Sequence, residues 1–161
     1  MARLSCDELA DLVVEALKAL RPGGDTTTVE AYYLQRLLDP DYVATITGRK
    51  LFVVPLGKSQ AETASRGDDT WQSDIRVIVV ERYTDAAGDV PKAWTKLRTK
   101  WVEDNVLHVL GDARNEDFPQ VLRDLDVYPE SAEVAEFFDD DLLRRMKLFF
   151  SAVDFGFRRD E

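Results

Sequence analysis

Several short stretches place chemically capable side chains close together in the chain. Gly57-Lys58-Ser59 has the ending of a phosphate-binding loop, where backbone amides and a lysine cradle phosphates. That loop needs a glycine five positions earlier, where this chain has Phe52, and no helical pattern follows, so the match reads as chance. Asp74, Glu81 and Arg82 on one strand faintly resemble a nuclease arrangement that holds a divalent ion. Asp74 and Glu81 are seven apart, however, so strand alternation sends them to opposite faces. Asp139-Asp140-Asp141 offers the oxygen ligands that calcium and magnesium prefer. Adjacent acids splay outward and no glycine-punctuated loop surrounds them, so the expectation is a solvated turn before the last strand. Arg66-Gly67-Asp68 spells an adhesion tripeptide but reads as an exposed turn.

The scarce residues exclude further chemistry. The single cysteine, Cys6, has no partner for a disulfide, which suits a reducing compartment. One thiolate and one imidazole cannot build a thiolate-rich zinc site. His108, the sole histidine, sits near the end of a helical pattern, where a surface role is the better reading than that of a catalytic base. With no nucleophile, base and oxyanion donors gathered in one place, the expectation is a protein that is not an enzyme and takes neither metal nor cofactor.

Elements must position whatever surface remains. The chain of 161 residues reads as one domain spanning residues 1–161, and its 45% hydrophobic content suffices for a core. Its 31 acidic against 21 basic residues give a net charge of −10, which repels phosphate backbones and argues against nucleic-acid binding driven by counterion release. The first residues lack a signal-peptide core and no apolar run approaches a membrane span, so synthesis in the cytoplasm and no membrane partner are expected.

Ser5 and Glu8 form a capping box, followed by an apolar stripe of Leu9, Leu12, Val13, Ala16, Leu17 and Leu20 that ends at Pro22-Gly23-Gly24. Residues 26–35 are β-branched and aromatic and predict a strand, then Asp39-Pro40-Asp41 opens a short helical turn. Residues 50–56 predict a second strand, with Pro55 at a strand end or sheet edge. Residues 57–70 have no apolar periodicity and predict a long loop. Residues 71–83 predict a third strand, apolar on both faces through Ile75, Val77 and Val79 against Ile78 and Val80, hence central and covered on both sides.

A second helix is expected from Pro91 to Leu110, with Gly111 as its C-cap and Trp94, Leu97, Trp101, Val102, Asn105 and Val109 on its buried side. Residues 118–128 read as a short helix running into a strand. Residues 146–157 alternate Phe149, Ser151, Val153, Phe155 and Phe157 against Leu148, Phe150, Ala152 and Asp154, a terminal strand. The expected fold class is α+β: a mainly antiparallel β-sheet flanked by two amphipathic helices, with a long inter-strand loop.

This order of features resembles the tail-terminator proteins of long-tailed phages, also called tail-completion or head-to-tail joining proteins. The resemblance rests on the first helix, on Glu30-Ala-Tyr-Tyr-Leu-Gln-Arg-Leu-Leu-Asp-Pro-Asp-Tyr42, on Lys50-Leu-Phe-Val-Val-Pro-Leu56, and on the loop closing at Ala64-Ser-Arg-Gly67. It continues through Asp74-Ile-Arg-Val-Ile-Val-Val-Glu-Arg-Tyr83, the long helix, and Asp140-Asp-Leu-Leu-Arg-Arg-Met-Lys-Leu-Phe-Phe-Ser-Ala-Val-Asp-Phe-Gly-Phe157. The resemblance implies a virion protein at the head-tail junction that assembles with itself into a ring, commonly a homohexamer. Such a ring caps the tail tube, stops its polymerisation and presents a docking face to a head-completion or connector protein. DNA would pass through the lumen without specific binding. Candidate interface and lumen residues are Lys58, Arg66, Asp68, Asp69 and Trp71. The alternatives are another neck component, such as a head-completion or stopper protein, an acidic adaptor or inhibitor of a basic protein, and a metal-dependent nuclease using Asp74 and Glu81.

Overall fold

The computed structural model describes residues 4–19, 30–35, 38–43, 45–60, 70–84, 88–136 and 139–160. The first helix begins as its capping box dictates: the Glu8 backbone N–H donates to Ser5 Oγ at 3.1 Å and the Ser5 N–H donates to the Glu8 carboxylate. α1 (Cys6–Lys18) then buries Leu9, Val13 and Leu17 and leaves Asp7, Glu8, Asp11 and Glu15 exposed. Among the described residues no helix is long and apolar enough to cross a membrane.

Five strands form one sheet: β1 (Ala31–Tyr33), β2 (Arg49–Gln60), β3 (Thr70–Arg82), β4 (Tyr128–Glu136) and β5 (Leu148–Asp160), in the order β1-β2-β3-β5-β4. β1 and β2 are parallel, joined through the short α2 (Pro40–Val43), and the other three pairings are antiparallel. The fold is α+β. Along β3, Ile75, Val77 and Val79 look to one face with Phe149, Val153, Phe155 and Phe157 of β5, under α1 and α3 (Lys92–Val102). Ile78 and Val80 look the other way, with Phe52, Val54, Leu148 and Ala152, beneath Val43 and Ile46 from α2 and the turn after it. The alternation read from both β3 and β5 is the one observed, and β3 is covered on both sides.

Other elements differ from expectation. Of the strand expected over residues 26–35, residues 30–35 are described and only Ala31–Tyr33 of them are strand; residues 20–29 lie outside the described residues. Of the loop expected over residues 57–70, both described ends are strand, since β2 continues to Gln60 and β3 begins at Thr70; residues 61–69 lie outside the described residues. A register shift between Pro55 and Gly57 breaks the period-two pattern there, so the strand's polar end reads as loop. Gly57 takes φ +152°, a conformation L side chains rarely adopt. Pro55 lies inside β2 rather than at its end, beside this bulge, but past Val53, the last β2 partner of β1, so it stands at the sheet edge as expected.

The second helix is α3 followed by a π-helical turn over Glu103–Leu107 and α4 (His108–Leu110). Its buried stripe is Thr95, Val102, Val106 and Val109, whereas Leu97, expected inside, is 60% exposed. Five residues from Val102, Leu97 stands about 140° round a helix of 3.6 residues per turn. Gly111 ends the helix in a right-handed conformation, so its missing side chain serves a close approach instead: a Cβ there would fall 2.8 Å from the Ala132 Cβ and 2.4 Å from the Leu107 carbonyl oxygen.

Residues 118–128 do pass from helix, α5 (Gln120–Asp124), into strand, but that strand is the separate edge strand β4 and runs on to Glu136. Asp139-Asp140-Asp141 is not a free turn. Asp139 caps α6 (Asp140–Met146) by accepting from the backbone N–H groups of Asp141 and Leu142 at 3.0 and 3.1 Å, so Met146 ends a helix rather than starting the last strand.

The two tight glycines have different neighbours. A Cβ at Gly156 would meet only side-chain ends, Ser131 Oγ and Gln72 Nε2, whereas at Gly111 it meets backbone. Gly111→Ala is expected to lower stability by about 2 kcal/mol through overpacking, and Gly156→Ala by less than about 1 kcal/mol. Urea unfolding of both variants measures the contrast.

Candidate functional site

Lys58 and Trp71 come together at the end of the β2–β3 pair where β2 finishes and β3 begins. Lys58 pairs with Ser73 and Trp71 with Gln60, and the Lys58 ammonium lies 5.6 Å from the Trp71 ring centroid. Lys58 Nζ also donates to the Leu4 carbonyl at 2.7 Å, so this pair clamps the entry to α1 onto the sheet. Both side chains are half-buried, and the Trp71 indole N–H is buried without an acceptor. The cavity they line with Leu4, Leu9 and Phe157, about 10 Å³, holds no more than a water-sized group. Arg66, Asp68 and Asp69 lie outside the described residues.

Asp74 and Glu81 stand on opposite faces. Asp74 accepts from Gln72 Nε2 at 2.9 Å, on the face where Arg76 and Asp154 make a two-pronged ion pair at 2.6 and 2.8 Å. Glu81 points under α3. One of its oxygens accepts from Arg49 Nε at 3.2 Å and the other from Arg98. Each guanidinium lies over an indole: Arg49 is 4.4 Å from the Trp101 centroid and Arg98 is 4.6 Å from that of Trp94. Trp94 in turn meets Phe149 and Tyr83 edge-on.

Sequence reasoning missed this cluster of Arg49, Glu81, Arg98, Trp94 and Trp101. Its signal was available. Glu81 is the sole charge among the residues of β3 that share the face of Ile75, Val77 and Val79, and Trp94, Arg98 and Trp101 recur at steps of four and three on α3. The glutamate side chain is 14% exposed and both its oxygens are engaged, so it holds α3 to the sheet instead of presenting a base.

Cys6 Sγ donates to the carbonyls of Gly57 and Asp74 at 3.4 and 3.5 Å. Burial pushes its pKa up, with Asp7 and Asp74 adding to that, against the Gly57 hydrogen bond and Lys58. A thiol so placed stays protonated rather than acting as a nucleophile. His108 is exposed on α4. The backbone N–H and guanidinium of Arg114 hold the Asp112 carboxyl below its usual range. Among the described residues, no three His, Cys, Asp or Glu converge on one point.

Two outcomes follow from this geometry. Glu81→Gln leaves two half-buried guanidiniums without their counter-charge and is expected to cost about 2 kcal/mol. Asp154→Asn, at a more exposed pair, is expected to cost about 1 kcal/mol or less, and denaturant midpoints at constant slope compare the two. Because Cys6 is raised, its protonated form contributes stability that is fully present below the ordinary thiol pKa and is lost as pH rises through the folded-state value. Cys6→Ser should remove that alkaline loss, and iodoacetamide should alkylate the native thiol more slowly than the urea-unfolded one.

Compared with known proteins, the chain matches no protein-family model and no curated protein sequence.

Proposed function

We propose that this chain is a non-enzymatic virion subunit resembling a phage tail terminator, which assembles into a ring on the finished tail tube. The observation that carries this reading is where the resembling segments fall. Residues 30–42 contain β1 and most of α2, and residues 50–56, 74–83 and 140–157 fall on β2, β3, and α6 with β5, so the strands concerned are consecutive neighbours in the sheet. Residues 112–136, which lie outside these resembling segments, supply α5 and the edge strand β4.

In this reading the ring stops tube growth and offers its other face to a head-completion or connector protein at the head-tail junction. Its acidic surface repels passing DNA, which suits a lumen that DNA must leave freely. Arg66, Asp68 and Asp69 are the sequence's candidates for intersubunit salt bridges or for the lumen. A neighbouring neck component is the closest rival, since it too would be a small ring-forming subunit.

Native mass spectrometry of the purified protein, alone and with tail tubes, tests the reading. Ring-sized assemblies that cap tube ends are expected. A strict monomer that leaves tube ends growing would sink it.

A further inference from the structure

The helix layer of this acidic protein holds one strongly basic element. Residues 91–102 carry Lys92, Lys96, Arg98 and Lys100 and no acid; taking their +4 from the net −10 leaves −14 on the rest of the chain. Arg98 is spent on Glu81, but Lys92, Lys96 and Lys100 are exposed, and none has an ion-pair partner among the described residues. They recur every four residues and so form one stripe with steps of about 6 Å. Ala93 and Leu97, each three residues before a lysine, lie alongside it; Leu97, 60% exposed, is the most exposed large hydrophobic side chain described.

α1 carries the matching surface. Asp7, Asp11 and Glu15 are exposed and also recur every four residues, giving an acidic stripe with the same step, and the half-buried Leu12 stands three residues before Glu15. α1 packs over β1, β2 and β3, and α3 over β5, so the two stripes occupy different parts of the helix layer. A lysine stripe and an acid stripe of equal pitch on one subunit are complementary between copies.

We infer that the α3 lysine face docks on the α1 acidic face of a second copy of this chain. The contact is head-to-tail, the type that generates a ring when its rotation closes. This deepens the proposed ring by naming the two surfaces that join its subunits, and it rests on that reading only for the closure.

Paired charge reversals test the contact. Lys96→Glu with Lys100→Glu makes both helix faces acidic, and Asp11→Lys with Glu15→Lys makes both basic. Sedimentation at low salt should show each variant self-associating at least about tenfold more weakly than the native chain, because attraction becomes like-charge repulsion. Mixing the two variants should restore assembly, since each acidic face then meets a basic one. Circular dichroism and urea unfolding confirm that both variants are folded, and a chain carrying all four reversals should assemble by itself.

Native-like assembly by the single-face variants would overturn the contact, as would a failure of the mixture to recover, or a native chain that stays monomeric both in solution and on tail tubes. So would a lysine variant that self-associates normally but loses binding to a short DNA duplex, which would make α3 a nucleic-acid face. Tube capping fails separately: a chain that self-associates with reciprocal rescue yet ignores tube ends keeps this contact and loses the terminator reading.

Discussion

β3 and β5 run antiparallel from Thr70↔Asp160 to Arg82↔Leu148 without a register shift, and the placement of nearly every other element follows from that ladder. An unbroken register keeps each side chain's face fixed along the whole length of the pair. Phe149, Val153, Phe155 and Phe157 therefore meet Ile75, Val77 and Val79 on one face, where α1 and α3 find an apolar bed. On the other face the pattern changes along the strands. Ile78, Val80, Leu148 and Ala152 are apolar and sit beneath α2, while Arg76, Asp154, Gln72 and Asp74 are polar and pair among themselves. A helix of four residues can cover only part of a sheet face, and charge takes over on the remainder.

Glu81 lies on the helix-facing side of this same ladder, and its position shows how a charge can organise a core boundary. Removing a carboxylate and two guanidiniums from water is costly unless each is paired, and here both oxygens are used while each guanidinium also lies on an indole face. The cluster ties β2, β3 and α3 together at one point. That attachment sets which way α3 faces, and so turns Lys92, Lys96 and Lys100 outward.

What could be read from the sequence depended on whether local pattern and burial agreed. α1 was legible because cap, stripe and solvated acids all gave the same answer, and β3 and β5 because alternation is strict there. β4 was hidden: Glu130 and Glu133 are exposed, and its register shifts twice against β5, so neither hydrophobicity nor period two marks it. The polar end of β2 was hidden by its bulge, and α6 by an aspartate run whose first member is a cap. Leu97 was misplaced because the second helix is buried along a narrow stripe that a six-residue list overfills. Of the proposed site, Lys58 and Trp71 do meet, but as a clamp on α1; the Glu81 cluster needed tertiary proximity between β2, β3 and α3 that spacing within one element cannot supply.

Both sheet edges are also poor templates for another strand. β4 has Pro129, which cannot donate, two register shifts and exposed glutamates; on the other side the edge strand β1 is only three residues long, and β2 beyond Val53, its last residue paired with β1, has Pro55 and the Gly57 bulge. The described strands thus disfavour a continuous intersubunit sheet, and the proposed assembly relies on side-chain faces instead. A twofold contact through α3 would set lysine against lysine, and one through α1 would set acid against acid. Opposite charges come together where α3 of one copy meets α1 of another, and used once per pair, as in the inferred head-to-tail contact, this leaves an unused acidic face on one subunit and an unused basic face on the other. In the proposed ring, addition of copies continues until the last free face meets the first, which is the condition for closure.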